Sequence, residues 1–264
     1  MAEAVRFERV GMRYHLDAEV LSDISFTLES GSFHFLTGPS GAGKSSLLRL
    51  LTLAERPSRG RMLIFGRDTA TVSRRARPAL RRRIGIVFQD FRLLDHLTTA
   101  ENVALPLQLA GGLDPQTIRA HVTELLRWVG LGHRLDAYPP TLSGGEKQRA
   151  AIARAVVKKP ELLIADEPSG NVDPEIARRL MHLFLELNRL GTTTLVATHD
   201  TELVEAVGGR VLHLERGRLI DIEDRGPLRN PVTGARITEA DHRAPPHGMA
   251  DAGARTGPTE GEGR

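Results

Sequence analysis

The sequence feature that most constrains the fold is a glycine-rich loop, Gly38-Pro39-Ser40-Gly41-Ala42-Gly43-Lys44-Ser45, which fits the pattern G-x-x-x-x-G-K-[ST]. Residues 32–37 before it alternate and include two phenylalanines, which predicts a strand, and the apolar-rich residues 45–51 predict a helix start. Glycines let successive backbone N–H groups curl around a phosphate, and the helix N-terminus adds its positive end. The pattern therefore predicts a phosphate-binding loop, in which Lys44 reaches the terminal phosphates and Ser45 ligates Mg²⁺.

Length, composition and charge limit the class of protein that can contain this loop. The 264 residues suffice for one large domain or two small ones, and no apolar run approaches the 18 or so residues of a membrane span. Residues 1–6 lack the basic segment and apolar core of a signal peptide. The absence of cysteine excludes disulfides and thiolate metal sites and fits a cytoplasmic protein. A net charge of +3 gives no argument for a nucleic-acid partner, and we expect none.

Residues 5–10 and 20–28 alternate apolar and polar side chains, which predicts an antiparallel pair of strands near the N-terminus. Tyr14 lies between them. Two interpretations of it stay open. It is either a half-buried tyrosine at a strand end or an aromatic platform for a nucleotide base.

Seven arginines follow a predicted strand at residues 60–66. They are Arg67, Arg74, Arg75, Arg77, Arg81, Arg82 and Arg83. Such a run is usually the solvated face of a helix, and the alternative is contact with acidic lipid headgroups or with an acidic partner loop.

The next buried strand ends at Gln89, which is either a polar edge residue or a sensor of Mg²⁺ and the attacking water. From Thr99 to about Leu135 apolar residues recur at spacings of three and four, which predicts helices. Asp114 followed by Pro115 predicts an N-cap with proline at the first helical position. We expect an all-helical insertion between two parts of an α/β core.

A second Ser/Gly-rich turn, Ser143-Gly144-Gly145, opens another predicted helix. It fits a second anion site, because helix N-termini present free N–H groups. It equally fits a plain capping box, because Glu146 lies three residues after Ser143. The residues alone leave these two interpretations open.

Two buried strands carry polar residues at their ends. The apolar run of residues 162–165 ends in Asp166 and Glu167, and the run of residues 192–198 ends at His199. Ligands sit at the carboxyl ends of strands in α/β sheets, so Asp166 suits a Mg²⁺ shell and Glu167 suits polarisation of the attacking water. The alternative is a pair of solvated acids. His199 is a candidate for contact with the γ-phosphate, although a lone histidine is more often a surface or core residue.

After Asp224 the composition changes. Residues 225–264 hold 7 Gly and 5 Pro, no aromatic residue and few large aliphatic ones. Such a segment buries too little apolar surface to offset its ordering entropy, so we predict a disordered tail over residues 224–264.

Together these motifs resemble an ATP-binding-cassette (ABC) ATPase over about residues 5–223. The Walker A loop is Gly38–Ser45, the Q-loop glutamine is Gln89, the signature is residues 142–146, the Walker B strand is Leu162–Asp166, the D-loop ends at Asp173 and the H-loop histidine is His199. The resemblance implies a P-loop NTPase (RecA-like) α/β core with an N-terminal antiparallel β subdomain and a helical subdomain at about residues 92–158.

The resemblance also implies site residues and partners. Glu167 and His199 would be catalytic, and Ser45, Gln89 and Asp166 would hold Mg²⁺. The residues implied to contact ATP are Tyr14, Gly38, Pro39, Ser40, Gly41, Ala42, Gly43, Lys44, Ser45, Ser46, Gln89, Ser143, Gly144, Gly145 and Asp173. Two copies would face head to tail, so that the Ser143–Gly145 turn of one covers ATP on the other.

Residues 33–38, 88–94 and 102–107 are most similar to the cell-division members of the family. That similarity implies an integral membrane partner, contacted through about residues 90–105, and a peripheral location on the cytoplasmic face of the inner membrane at the division septum. An ATPase of a lipoprotein-release or macrolide-type exporter is the alternative. A soluble cassette protein acting on ribosomes or DNA is disfavoured, because those usually carry two cassettes or a long coiled-coil insertion.

Overall fold

Residues 2–14, 18–170 and 173–238, which the computed structural model describes, begin with a four-stranded antiparallel sheet. Its strands are β1 (Glu3–Met12), β2 (Leu21–Glu29), β4 (Arg59–Ile64) and β5 (Arg67–Asp68), in the order β2-β1-β4-β5. The alternation in β1 and β2 places one set of side chains inside, where the rings of Phe7 and Phe26 stack 4.6 Å apart. The predicted antiparallel pair at the N-terminus is confirmed.

The second sheet has six strands in the order β10-β9-β3-β8-β7-β6. They are β3 (Phe33–Thr37), β6 (Ile84–Val87), β7 (Leu162–Asp166), β8 (Thr193–Ala197), β9 (Arg210–Glu215) and β10 (Arg218–Asp224). All neighbours are parallel except β10, which pairs antiparallel with β9. The central strands β3 and β8 are buried along their whole length because helices or the first sheet cover both faces. Their carboxyl ends consequently meet at one edge, where the predicted polar residues lie.

Two hydrophobic cores flank this parallel sheet. One contains Leu36 and Ile164 and joins helix α1 (Lys44–Leu51) to the antiparallel sheet. The other contains Phe35 and Leu163 and packs against helices on the opposite face. Those helices include α6 (Pro174–Arg189) and α7 (Thr201–Val207). Alternation along each strand thus divides its side chains between two layers, which gives the predicted α/β P-loop architecture.

A helical segment lies between β6 and β7 in the chain, after the short helix α2 (Arg77–Arg81) that precedes β6. Its helices are α3 (Thr99–Ala110), α4 (Pro115–Trp128), a 3₁₀ turn (Pro139–Thr141) and α5 (Gly144–Val156). α4 begins as the sequence predicts, because the Asp114 side chain accepts from the Thr117 N–H at 2.9 Å. Its buried residues join the same core as α5.

The prediction of a disordered tail is wrong for residues 225–238. The N–H of Arg229 donates to the Val207 carbonyl, the N–H of Ile237 donates to the Leu228 carbonyl, and Ile237 is buried in the core. The side chains of Leu228 and Ile237 suffice to pack this short loop against the core. The average composition of residues 225–264 gives no sign of these two contacts. Residues 239–264 lie outside the described part of the chain, and the prediction for them stays a prediction.

Candidate nucleotide site

The glycine-rich loop connects β3 to α1 and is shaped by backbone conformations that favour glycine. Gly38 and Gly43 have φ values of 144° and 105°. A Cβ on Gly38 would lie 2.0 Å from the Leu214 carbonyl oxygen, so β9 leaves no room for a side chain there. Gly43 is the N-cap of α1, and no side chain caps this helix. The first N–H groups of α1 are thus available to an anion.

Lys44 folds back over the loop. Its Nζ donates to the Gly38 carbonyl at 2.6 Å and to the Pro39 carbonyl at 3.3 Å, and it lies 4.0 Å from Glu167 Oε1. The ammonium group therefore interacts favourably with two loop carbonyls and with the Glu167 carboxylate. Its positive charge favours binding of an anionic group at the same place.

A cleft of about 630 Å³ brings most of the predicted site residues together. It is lined by Val20, Gly38, Pro39, Ser40, Gly41, Ala42, Gly43, Lys44, Ser45, Ser46, Gln89, Asp166, Glu167 and His199. Strands β3, β6, β7 and β8 deliver these residues because their carboxyl ends share one edge of the sheet. Val20, just before β2, is a lining residue that the sequence analysis missed, since an isolated valine carries no motif.

The two carboxylates at the end of β7 differ in environment. Burial raises the pKa of Asp166 above its ordinary value, and the charge of Glu167 raises it further, while Lys44 opposes both effects. Glu167 adopts a left-handed backbone conformation, with φ 46°, and its N–H donates to the Ala197 carbonyl. This conformation is uncommon for a residue with a Cβ and turns the chain sharply at the edge of the cleft.

His199 is held by Glu167. Its ring Nδ1 lies 2.8 Å from Glu167 Oε2, and its backbone N–H donates to the same oxygen at 3.4 Å. The ring is largely exposed, with 71% of the side chain accessible to solvent. The geometry therefore pairs the histidine with the carboxylate and leaves the rest of the ring open to the cleft.

Gln89 follows β6 and lies beside the loop after Glu167, because its amide nitrogen is 3.8 Å from the Cβ position of Gly170. The next turn contains two consecutive left-handed residues, Phe91 and Arg92. Arg154 of α5 fixes this turn, with guanidinium nitrogens 2.6 Å from the Phe91 carbonyl and 2.5 Å from the Arg92 carbonyl. An arginine inside a helix gave no sequence signal for this contact.

Tyr14 does not line the cleft in the described residues. Its hydroxyl lies 3.3 Å from Ser46 Oγ, and the guanidinium of Arg49 stands 5.9 Å from the ring centre. The ring thus packs along α1, close to the loop. Its role as a base platform stays a prediction.

The Ser143–Gly145 turn is a capping box. Ser143 Oγ accepts from the Glu146 N–H at 3.3 Å, and Glu146 Oε2 accepts from the Ser143 N–H at 2.8 Å. Backbone hydrogen bonding to Ser143 together with Arg134 lowers the pKa of Glu146 to about 2. The capping interpretation is confirmed, and among the described residues this turn does not line the cleft.

Asp173 is likewise an N-cap, accepting from the Glu175 N–H at 2.8 Å at the start of α6. It also stands outside the cleft lining of the described residues. Asn171 and Val172, in the predicted loop before it, lie outside the described part of the chain.

The geometry defines a nucleotide-binding P-loop ATPase, and the comparisons specify it further. A family model described as ABC transporter matches residues 21–170. The protein named cell division ATP-binding protein FtsE from Bacillus subtilis is 41% identical over 222 residues, covering 84% of this chain and 97% of that protein. The protein of the same name from Escherichia coli K12 is 45% identical over 215 residues, covering 81% and 96%. The chain belongs to the ABC transporter family and, within it, to the FtsE cell-division ATP-binding proteins.

Solved structures agree. A dimeric, post-hydrolysis structure of the ATP-binding cassette MJ0796 with ADP and phosphate superposes with a TM-score of 0.78 at 31% identity, covering 84% of this chain and 99% of that one. CbiO1 from Clostridium perfringens gives a TM-score of 0.77 at 29% identity, covering 88% and 90%. The predicted fold class is confirmed, and the chain is an ATPase that hydrolyses ATP to ADP and phosphate. Within the described residues no helix has the length and apolar character needed to cross a bilayer.

Proposed function

We propose that the chain is the ATP-hydrolysing subunit of an FtsEX-like membrane complex that acts in cell division and septal cell-wall remodelling. The observation that carries the proposal is that one cleft unites an uncapped phosphate loop, a lysine, a glutamine and two carboxylates, while the signature turn lies outside it. A site so divided is completed by a second copy of the chain. The MJ0796 structure, which is dimeric, supports this arrangement.

In the proposed dimer, ATP on the Gly38–Ser46 loop of one copy is covered by Ser143, Gly144 and Gly145 of the other, with Asp173 and Tyr14 adding contacts at the edge. A ligand that binds only the closed dimer, and whose concentration is 100 times its Kd, stabilises that dimer by about 2.7 kcal/mol of free energy. ATP bound between the two copies thereby stabilises the closed dimer, and hydrolysis of the ATP allows the dimer to open.

The residues present fit Mg²⁺. Asp166 is a half-buried carboxylate whose pKa is raised by burial and by the charge of Glu167, and a divalent cation offsets both effects. Ser45 and Gln89 line the same cleft and offer the neutral oxygens that Mg²⁺ also accepts. These three residues would hold the ion, which when bound neutralises phosphate charge.

Glu167 is the proposed general base for the attacking water. Its Oε2 is held by His199 and its Oε1 faces Lys44, so the carboxylate has a fixed orientation at the edge of the cleft. His199, largely exposed, is proposed to turn its free ring edge to the γ-phosphate once nucleotide binds. Lys44 neutralises charge on the terminal phosphates.

The proposed partner is an integral membrane protein resembling FtsX, bound through about residues 90–105. The half-exposed Leu94 in that stretch offers apolar contact. The ATPase would sit peripherally on the cytoplasmic face of the inner membrane at the septum. The relatives reported above carry the cell-division name, which favours this role over that of a lipoprotein-release or macrolide exporter.

Mixing two inactive variants tests the shared site. Lys44→Ala destroys the phosphate loop, and Ser143→Arg blocks the signature turn. A mixed dimer keeps one site in which both halves are intact. Random pairing makes about half of the dimers mixed, so we expect about a quarter of wild-type turnover if sites act independently. No recovery, with both variants folded, would contradict a head-to-tail dimer.

Co-purification from membranes tests the partner. A Glu167→Gln form, trapped with ATP, is expected to carry with it a membrane protein that has an extracytoplasmic domain. Capture of an exporter subunit instead would favour the alternative function.

A further inference from the structure

The turn that follows β6 has an uncommon backbone and carries one of the proposed Mg²⁺ ligands, Gln89. Phe91 and Arg92, two and three residues after Gln89, have φ values of 59° and 49°. Residues with a Cβ adopt this left-handed conformation rarely, and then usually as single residues. The turn therefore depends on contacts from elsewhere in the fold to keep its shape.

The side chain of Gln89 depends on this backbone for its position. Gln89 is exposed, and among the residues that the structure describes no hydrogen bond involves its side-chain amide. Its amide nitrogen lies 3.8 Å from the Cβ position of Gly170, in the loop after Glu167. A change in the backbone of the turn would therefore move this amide relative to the cleft.

Contacts within the turn are too exposed to fix it. Arg92 Nε lies 3.1 Å from Asp90 Oδ1, and its guanidinium lies 3.9 Å from the centre of the Phe88 ring. The side chains of Arg92 and Asp90 are 59% and 67% exposed. An ion pair this exposed stabilises a conformation only weakly, because water competes for both partners.

The strongest contact comes from Arg154, in the last turn of α5. Its guanidinium donates to the Phe91 carbonyl at 2.6 Å and to the Arg92 carbonyl at 2.5 Å, so one fork holds both left-handed residues. Burial lowers the pKa of Arg154 below its ordinary value, and shielding from water strengthens its hydrogen bonds. Ile152 and Val156 anchor α5 in the core, which makes the helix a rigid support.

The chain beyond this turn is held by a different residue. The buried Asn102 of α3 accepts from the Leu94 N–H at 2.8 Å and donates to the carbonyls of Leu94 and Leu97, each at 3.0 Å. Loss of the Arg154 contacts should therefore loosen residues 88–93 and leave residues 94–98 in place.

We propose that Arg154 is a positioning residue for the ATPase reaction. By holding the Phe91 and Arg92 carbonyls it fixes the backbone of the turn, and through that backbone it places the Gln89 amide at the cleft. Arg154 itself does not line the cleft in the described residues. The inference rests on the proposed function, in which Gln89 helps to hold Mg²⁺.

Hydrogen exchange of the nucleotide-free, full-length protein measures the turn directly. The N–H groups of Phe91 and Arg92 donate within the turn, to the carbonyls of Phe88 and Asp90. In Arg154→Gln we expect these two amides to exchange about 10- to 100-fold faster, the effect of losing hydrogen bonds from a charged donor. The amides of residues 94–98 serve as the internal reference and should not change.

Two further variants control this measurement. Lys159→Gln removes an exposed cation just after α5 and should leave exchange in the turn within about 2-fold of wild type. Arg154→Lys keeps the charge but loses the planar fork, so its exchange rates should lie between those of wild type and Arg154→Gln. Arg154→Lys also takes the place of Arg154→Gln if the latter fails to fold.

Turnover in a double-mutant cycle shows whether Arg154 acts through Gln89. With saturating ATP and Mg²⁺, we expect Arg154→Gln to reduce turnover by about 10-fold or more, because small displacements of a group at the reacting centre are costly. Gln89→Ala should lose at least as much. Adding Arg154→Gln to Gln89→Ala should change turnover less than about 2-fold, because the group that Arg154 positions is already absent.

Each outcome decides. Faster exchange in the turn together with non-additive losses of turnover would support the proposal. Additive losses would show that Arg154 acts independently of Gln89 and would overturn it, as would unchanged exchange of the turn in both Arg154 variants. Wild-type turnover in Gln89→Ala would refute the role of Gln89 in the proposed function and, with it, the effect of Arg154 on the reaction. The exchange rates would still report separately whether Arg154 shapes the turn.

Discussion

The two Ser/Gly-rich turns of this chain differ in one respect that separates their uses. The Gly38–Ser45 loop opens helix α1, which has no side-chain cap, whereas the Ser143–Gly145 turn opens α5, which is closed by a capping box. The first turn therefore leaves the first N–H groups of α1 without a side-chain partner, and we expect a ligand to accept from them. The second has satisfied two of its donors internally and can stand alone. A self-sufficient turn suits a surface that meets a nucleotide already held elsewhere.

The largest expected effect comes from removing the cation of the first turn. Lys44→Ala should weaken ATP binding by about 100-fold or more, because the charge-assisted contacts to the terminal phosphates are lost. The measurement is nucleotide titration of dilute, monomeric protein. Lys147→Ala, which removes the lysine beside the second turn, is the control and should leave binding within about 2-fold. Equal losses in both variants would abolish the distinction between the turns.

Glu167→Gln separates chemistry from binding at the first turn. Loss of the proposed base should reduce turnover by about 10²- to 10⁴-fold while ATP still binds. Single-turnover hydrolysis and nucleotide affinity, measured side by side, check this. Glu161→Gln serves as a control, because that carboxylate lies at the opposite end of β7 and pairs with Arg83. Normal turnover in Glu167→Gln would reassign the base.

The capping box of the second turn is expected to make the free energy of unfolding depend on pH. Its lowered pKa means that Glu146 stabilises the folded state above its unfolded pKa of about 4.5. We expect Glu146→Gln to lower the free energy of unfolding by about 1–2 kcal/mol at pH 7. The difference should shrink as the pH falls from about 4.5 towards 2. Denaturant unfolding at several pH values measures it, and a pH-independent difference would mean that the carboxylate charge is unimportant.

The smallest expected effect is an increase, rather than a decrease, in the free energy of unfolding, and it concerns Asp166 in the nucleotide cleft. Because burial and Glu167 raise the pKa of Asp166, its ionised form destabilises the nucleotide-free protein at pH 7. Asp166→Asn should therefore increase the free energy of unfolding by about 0.5–1 kcal/mol without nucleotide, while weakening Mg²⁺-dependent ATP binding. A loss of stability without nucleotide would show that the carboxylate is favourably paired there.

Prediction from sequence succeeded where a residue's role depends on its near neighbours. The phosphate loop, the Asp114 cap and the polar ends of β7 and β8 were all predictable, because loop geometry and strand ends are local. Prediction failed at residues 225–238, where two apolar side chains find a core built by distant helices. It also missed Arg154, which fixes the turn after Gln89 from another helix.

The sequence by itself determined that this chain binds a nucleotide phosphate and belongs to a recognisable class of ATPase, because glycines and a lysine at fixed spacing impose one local geometry. Only the tertiary structure decided which of these groups share one cleft. The order of strands in the parallel sheet brings Gln89, Asp166 and His199 to one edge and leaves Ser143 outside it. Strand order arises from packing between segments far apart in the chain, and no local pattern contains it.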